Sequence, residues 1–532
     1  MRCGACHLLD SGRDPAPGNT LHEVEPIRTA KEAGVRGMNF GPIDWLLTVV
    51  YLVGSVALGV WAKRYVENLA GYMVAGRKVK VSLGIATFVA TELGTVTYVY
   101  FGELGYVAGF SGFIIGILAM IAYATVGRTG FIIEGLRRLQ VMTIPEFYEL
   151  RYSRRVRLIG GIILFLGGVL NMGIFLKFDG IFLSEVMGFG SGALALIMSV
   201  MILIVIAYTI LGGMFSIVIT DFMQFVVLAF GMLVATVAVF MRVDMASMSA
   251  AVSTTLGTAG VNPFVNPRFG WTFVIWILVS SVAAGALWQP GTSKALASES
   301  PAVAKKVFFW TGLTFAGRAM VPMFWGVAAL AFFGPGLPSA AAMPKLLGAI
   351  VPPGFLGLLV AGMLAASMST YSAYLLAWSS VLARDVIACA RPRDFPEATT
   401  VTITRVVAAV IGVFLLVFGL WYQIPDTAFQ YLYVTGAMYT SGALGCVAAG
   451  MYWRRANNVG AYGSLLFGAL APAGFLLLEK SRDSLPSWLG FVTDVNIAGM
   501  LSFLLAALGM VAGSLVSQRS SPPRHLTIAE NP

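Results

Sequence analysis

Few residues in this chain can do chemistry, and their positions are uneven. The three histidines, His7, His22 and His525, all lie in the polar ends of the 532-residue sequence. No imidazole is left in the apolar bulk to ligate a metal or pass a proton. Four cysteines make no disulfide framework, and Cys446, inside an apolar run, reads as a small inert hydrophobe. Cys3-Gly4-Ala5-Cys6-His7 has the spacing of a haem c attachment string, but in a polar tail it reads as a chance match. The ionisable side chains within apolar segments are Glu92, Lys177, Asp179, Asp221 and Arg318. Charge in hydrocarbon is expensive and as a rule paired or functional. Lys177 and Asp179 read as structural partners of other helices, and Arg318 stays without a role.

Glu92 and Asp221 carry more weight because of their neighbours. Glu92 sits in Ala90-Thr91-Glu92-Leu93-Gly94-Thr95-Val96-Thr97, and three threonines and a glycine in eight residues weaken a helix. A break there would free backbone carbonyls, which bind small cations where they line a cavity. In Ala366-Ser367-Met368-Ser369-Thr370-Tyr371-Ser372, positions 366, 369 and 370 share one helix face. A carbonyl and two hydroxyls on that face are hard oxygen ligands that suit an alkali cation. Asp221 follows Gly212-Gly213 and Thr220 and precedes Gln224. It reads either as a carboxylate favoured near a helix N-terminus or as a cation way-station.

Positioning these groups is a task for membrane helices. The chain is 58% hydrophobic and 11% charged, with a mean hydropathy of +0.82, whereas soluble chains carry about 25% charged residues. Soluble enzyme and nucleic-acid binder are excluded, and the net charge of +10 belongs to topology instead. Windows of about 20 apolar residues centre on 43–62, 82–106, 109–127, 157–186, 190–211, 216–241, 271–289, 306–334, 353–381, 402–421, 428–452, 460–478 and 493–516. The expected fold class is therefore an all-α integral membrane protein of about 13 transmembrane helices. With the N-terminus outside, the inner loops hold about 23 Lys and Arg and the outer loops about five. That imbalance places the C-terminus in the cytoplasm and the chain, as a multi-pass protein, in the cell (inner) membrane. Residues 1–37 read as a polar tail with Met38 as the natural start, 38–517 as the transmembrane domain, and 518–532 as a cytoplasmic tail.

Several strings, in order along about 40–517, resemble the sodium:solute symporter family, which includes sodium/glucose, proline and pantothenate transporters. They are Thr143-Ile144-Pro145-Glu146-Phe147 with Arg151-Tyr152, Gly212-Gly213 through Asp221 and Gln224, and Ala366 to Thr370. Leu382-Ala383-Arg384-Asp385 and Tyr452-Trp453-Arg454-Arg455-Ala456-Asn457 with Gly460-Ala461 complete the set. The resemblance implies a five-helix inverted repeat, about 82–241 and 271–452, with the first helix of each repeat broken. It implies a sodium site made by the carbonyls of Ala90, Leu93 and Ala366 and the hydroxyls of Ser369 and Thr370. A second sodium or exit path would use Asp221 and Ser372, but Ala373 stands where a further hydroxyl is expected, which favours 1:1 coupling. The substrate cavity would draw on Glu92, Thr95, Thr97, Asn171, Ser281 and Gln289, with Lys294 where the family usually has arginine. Small residues at Val282, Ala284 and Ala286 replace bulky ones and argue for a wider or more apolar solute than proline or glucose.

The expected function is sodium-coupled import of a small organic solute by alternating access. Its partners are the solute, Na+ and the lipid bilayer, with no cofactor beyond the coupling ion, no protein partner and no nucleic acid. Two other readings compete: a proton-coupled carrier using Glu92 or Asp221, and a membrane solute sensor. An enzyme is not expected, because no nucleophile–base pair or metal cluster can be assembled from these residues.

Overall fold

The computed structural model describes residues 40–62, 69–189, 191–391, 395–423, 428–479, 485–486, 491, 493–524 and 526. The polar tail 1–37, its Cys3-to-His7 string and Met38 lie outside the described residues. Eleven helical stretches among the described residues are long and apolar enough to cross a bilayer, and no strand is present among them. The expectation of about 13 differs at two places. A break at Leu93–Gly94 leaves the Val81–Glu92 half too short to span alone, and the helices Thr95–Ala108 and Phe113–Thr129 follow each other through a 3-10 turn at Gly109–Gly112 and count as one stretch, Thr95–Thr129. Leu194–Ala207 is likewise a short apolar helix.

In chain order the elements that matter here begin with α1 (Pro42–Ala62), α2 (Val81–Glu92), α3 (Thr95–Ala108) and α4 (Phe113–Thr129). A short helix, α5 (Ile144–Arg151), precedes α6 (Arg154–Met172), α7 (Phe175–Met187) and α8 (Leu194–Arg242). Then come α9 (Gly270–Leu287), α10 (Gln289–Ala297), α11 (Pro301–Phe333) and α12 (Phe355–Val381). The last are α13 (Glu397–Trp421), α14 (Ala428–Tyr452), α15 (Asn458–Leu478) and α16 (Val495–Val516).

Sequence chemistry sets many of the ends. Ser153, Ser300, Asn457 and Asp494 cap α6, α11, α15 and α16 by accepting backbone amides. Gly130 ends α4 in the left-handed conformation at φ 75°. Inside α8, Gly213 breaks the winding at φ 56°, ψ −162°, and a Cβ there would strike the Tyr72 ring. The Gly-Gly pair thus splits a 49-residue helix into two segments, the second of which carries Asp221.

Burial separates inner from outer helices. In the 18-residue apolar window of Phe355–Ala388, 89% of the residues are buried, against 33% in that of Glu397–Trp421. On α13, Val406, Val410, Val413 and Val417 are all exposed at helical spacing, an apolar stripe that in an α-helical membrane protein faces lipid tails. α12 is the hub, packed by α8, α1 and α2. At the end where the basic loops gather, Glu146 on α5 accepts the Met142 amide at 2.7 Å and pairs with Arg384 at 3.3 Å. Burial pushes its carboxyl up, but Arg384 and the Met142 amide outweigh this and hold it below the usual carboxylate range.

Candidate functional site

The site grows from two interrupted helices and the hub. Between α2 and α3, Leu93 (φ −118°, ψ 57°) and Gly94 (φ −69°, ψ 161°) leave the helical path. The chain restarts at Thr95, where the Thr97 amide donates to the Gly94 carbonyl at 2.8 Å. Between α9 and α10, Trp288 is extended at φ −70°, ψ 110°, and Pro290 in the first turn suits the restart because its fixed φ is already helical. The Trp288 indole N–H donates to Tyr374 of α12 at 2.9 Å, which ties this second gap to the hub.

The first gap also meets the hub. Thr370 Oγ1 donates to the Thr91 carbonyl at 3.1 Å. A Cβ added to Gly94 would lie 2.8 Å from the same hydroxyl, so only glycine allows this approach. Ala366, Ser369 and Thr370 are buried on α12, and Ala90 and Leu93 are buried at the gap. Beside them, Ser369 donates to Asp221 Oδ1 at 2.6 Å and Ser372 donates to the Ser369 carbonyl at 3.0 Å.

Asp221 is fully buried and already paired. Thr87 donates to its Oδ2, and the fully buried Lys294 of α10 lies 3.3 Å from the same oxygen and 2.9 Å from Thr87 Oγ1. Lys294, which counts toward the inner-loop charges when the sequence is read for topology, is thus an interior cation. Three polar neighbours at 289–293 disguise a buried helix as a loop. A parallel knot forms around Asp179: Tyr371 donates to Oδ2 at 2.6 Å, and Ser367 Oγ lies 2.7 Å from Oδ1. Lys177 turns away and donates to the Tyr422 carbonyl at 2.7 Å.

Next to the first gap lies a cavity of about 140 Å³, about the size that holds a benzene-sized molecule. Glu92, Thr97, Asn171 and Ser281 line it, and so do Thr91 and Thr370. Asn171 is tied down by its amide, which donates to Thr435 Oγ1 at 3.0 Å. Two of the residues expected around the solute, Thr95 and Gln289, are not among those that line this cavity. Thr95 donates to the Met363 carbonyl at 2.7 Å and approaches Ser367 at 2.8 Å, because the helix restart turns it toward α12. Gln289 accepts the Ile144 amide at 3.0 Å and so fastens α5 to α10. Arg318, left without a role by its sequence context, lines the same cavity. The only sequence signal was its charge within an apolar run. Among the described residues no group of three or more His, Cys, Asp or Glu side chains could hold a metal ion.

The chain is similar along most of its length to known carriers. It is 22% identical to a sodium/sialic acid symporter of Proteus mirabilis, over 93% of this chain and 98% of that one. It is 24% identical to a sodium/mannose cotransporter of Bos taurus, over 92% and 89%, and 24% identical to a sodium/proline symporter of Haemophilus influenzae, over 81% and 88%. Its fold matches the substrate-bound, outward-open structure of a Na+-coupled sialic acid symporter at a TM-score of 0.74, with 19% identity and coverage of 92% of this chain and all of that one. A nucleobase-cation symporter in a closed conformation matches at a TM-score of 0.52, with 15% identity, over 85% of this chain and 95% of that one. The model of the sodium:solute symporter family matches residues 72–288 and 314–468, and a match of that extent makes the chain a member of this family: a multi-pass membrane protein that couples sodium to the transport of a small solute.

Proposed function

We propose that one sodium ion, seated where the Leu93–Gly94 gap meets α12, drives a small organic solute inward by alternating access. The ion's ligands are the carbonyls of Ala90, Leu93 and Ala366 and the hydroxyls of Ser369 and Thr370. The observation that supports this is the bond from Thr370 across the gap to Thr91, which holds unwound backbone and hydroxyl face together. An ion there bridges α2 to α12 and favours the arrangement in which the adjoining cavity is formed. Substrate affinity then rises with sodium, and sodium affinity rises equally with substrate.

A second sodium has no vacant carboxylate to use. Both oxygens of Asp221 are taken up by Ser369, Thr87 and Lys294, and Ala373 offers no hydroxyl. Ser372 and Asp221 therefore brace the site, and coupling is 1:1. The thirteen-helix inverted repeat, about 82–241 and 271–452, belongs to the same proposal, supported by the two interrupted helices α2–α3 and α9–α10. So does an N-terminus outside and a cytoplasmic C-terminus in the cell membrane, supported by the distribution of basic residues.

Sodium-dependent stabilisation of the purified chain tests the ion site. Ser369→Ala and Thr370→Ala should each raise the half-saturating sodium concentration by about tenfold or more, since a ligand bond to a charge is worth about 1.5–3 kcal/mol. Unchanged sodium dependence in both variants, or an equal response to protons in sodium-free buffer, would place the coupling site elsewhere.

A further inference from the structure

Arg318 is 5% exposed, and Nε, Nη1 and Nη2 have no hydrogen-bond partner. A buried guanidinium with all of its nitrogens unpaired carries a penalty of several kcal/mol. Among the described residues none accepts a hydrogen bond from Arg318. Its Cζ stands 3.7 Å over the Phe315 ring, a cation–π contact that leaves the N–H groups without a hydrogen-bond acceptor. Arg318 is one of the residues on the wall of the cavity beside the first gap, and its unpartnered nitrogens are buried there. Glu92 lines the same space with Oε1 also unpartnered, and no ion pair joins it to Arg318. Phe101, Ile115, Ala119 and Tyr123 supply apolar wall around them.

The structure assigns the solute: it carries a carboxylate that Arg318 takes through two parallel N–H···O bonds, with an apolar body about the size of a benzene ring and a hydrogen-bond donor for Glu92. This deepens the sodium-symport reading and rests on it. Guanidinium and carboxylate match edge to edge, and the unpartnered nitrogens of Arg318 supply that fork. The donor, a hydroxyl or an ammonium beside the carboxylate, satisfies the orphan oxygen of Glu92.

Binding to the purified full-length chain, read as thermal stabilisation in sodium and in choline buffer, tests this with four probes: phenylacetate, phenylacetamide, mandelate and phenylglycine. Phenylacetate should bind in sodium and phenylacetamide should not. Mandelate or phenylglycine should bind more tightly than phenylacetate, and Glu92→Gln should erase that increment. Arg318→Gln should weaken every carboxylate probe by about 10–100-fold, the worth of hydrogen bonds to a charge, whereas Arg318→Lys should keep part of the affinity. Arg318→Gln removes an unpaired buried charge, so its own thermal stability should be no lower than that of the parent chain. An amide that binds as well as the acid, or no response to any of the acids, overturns the assignment. So does a Gln variant that still prefers the acids. If Arg318 and Glu92 serve only as an internal pair, both variants would act alike on acid and amide, which also overturns it. Stabilisation by sodium alone, lost in Ser369→Ala, is measured separately. If it persists while the acids fail, the ion site stands and only the solute assignment falls.

Discussion

Lys294 and Asp221 show how one residue fixes what another can do. Both are fully buried and 3.3 Å apart, with Thr87 bridging them. Breaking such a pair from one side leaves an uncompensated charge and costs about 3–5 kcal/mol, whereas removing both charges costs far less. Lys294→Met and Asp221→Asn should therefore each lower the melting temperature sharply. The double variant should lose clearly less than the sum of the two, which a thermal double-mutant cycle reads directly. Additive losses would mean that the two groups do not support each other. At this scale the sequence was half legible. That Ser369 and Thr370 share a face with Ala366 was legible from their spacing, and the structure brings Thr370 to the Thr91 carbonyl beside the gap. The place of Lys294 was not legible, because its partner lies 73 residues away and its own surroundings look like a loop. Thr95 and Gln289 bond α12 and α5 instead of lining the cavity, for a related reason: type and spacing show that a polar group is near a gap, but not which way the restarted helix turns it.

At the scale of elements, packing rests on glycines that let backbones touch. A Cβ on Gly326 of α11 would come within 1.9 Å of the Gly102 carbonyl of α3, whereas one on Gly317 of the same helix meets nothing within 4 Å. Gly317→Ala should be neutral or slightly stabilising, because alanine favours a helix by about 1 kcal/mol over glycine. Gly326→Ala should separate the two helices and destabilise the protein by about 1–3 kcal/mol or more. Melting curves of the two variants side by side check this, and equal behaviour would mean that α3 and α11 are not in backbone contact. The interruption at 91–97 was readable in advance because composition weakens the helix there, whereas the second, at Trp288, was expected only from the family resemblance. The inward or outward facing of complete helices was much less so, since an apolar stripe that meets lipid looks like one that meets protein. Only burial separates α12 from α13.

At the scale of the whole molecule, the proposed 1:1 coupling to a carboxylate solute has an electrical signature. One sodium carried with a monocarboxylate transfers no net charge, so membrane potential, worth about 2.3 kcal/mol per charge per 100 mV, should not act on the loaded carrier. In proteoliposomes, initial uptake of phenylacetate should rise with an inward sodium gradient and stay unchanged by an imposed inside-negative potential. Faster uptake at negative potential would indicate a second sodium, and with it a role for Asp221 that its partnership with Lys294 argues against. That partnership has one further effect. With Lys294 on the Asp221 carboxylate, the charge that Ser369 touches is already balanced. At the proposed site a sodium ion would then rest on carbonyl and hydroxyl dipoles, an arrangement that favours quick release over scavenging at low salt.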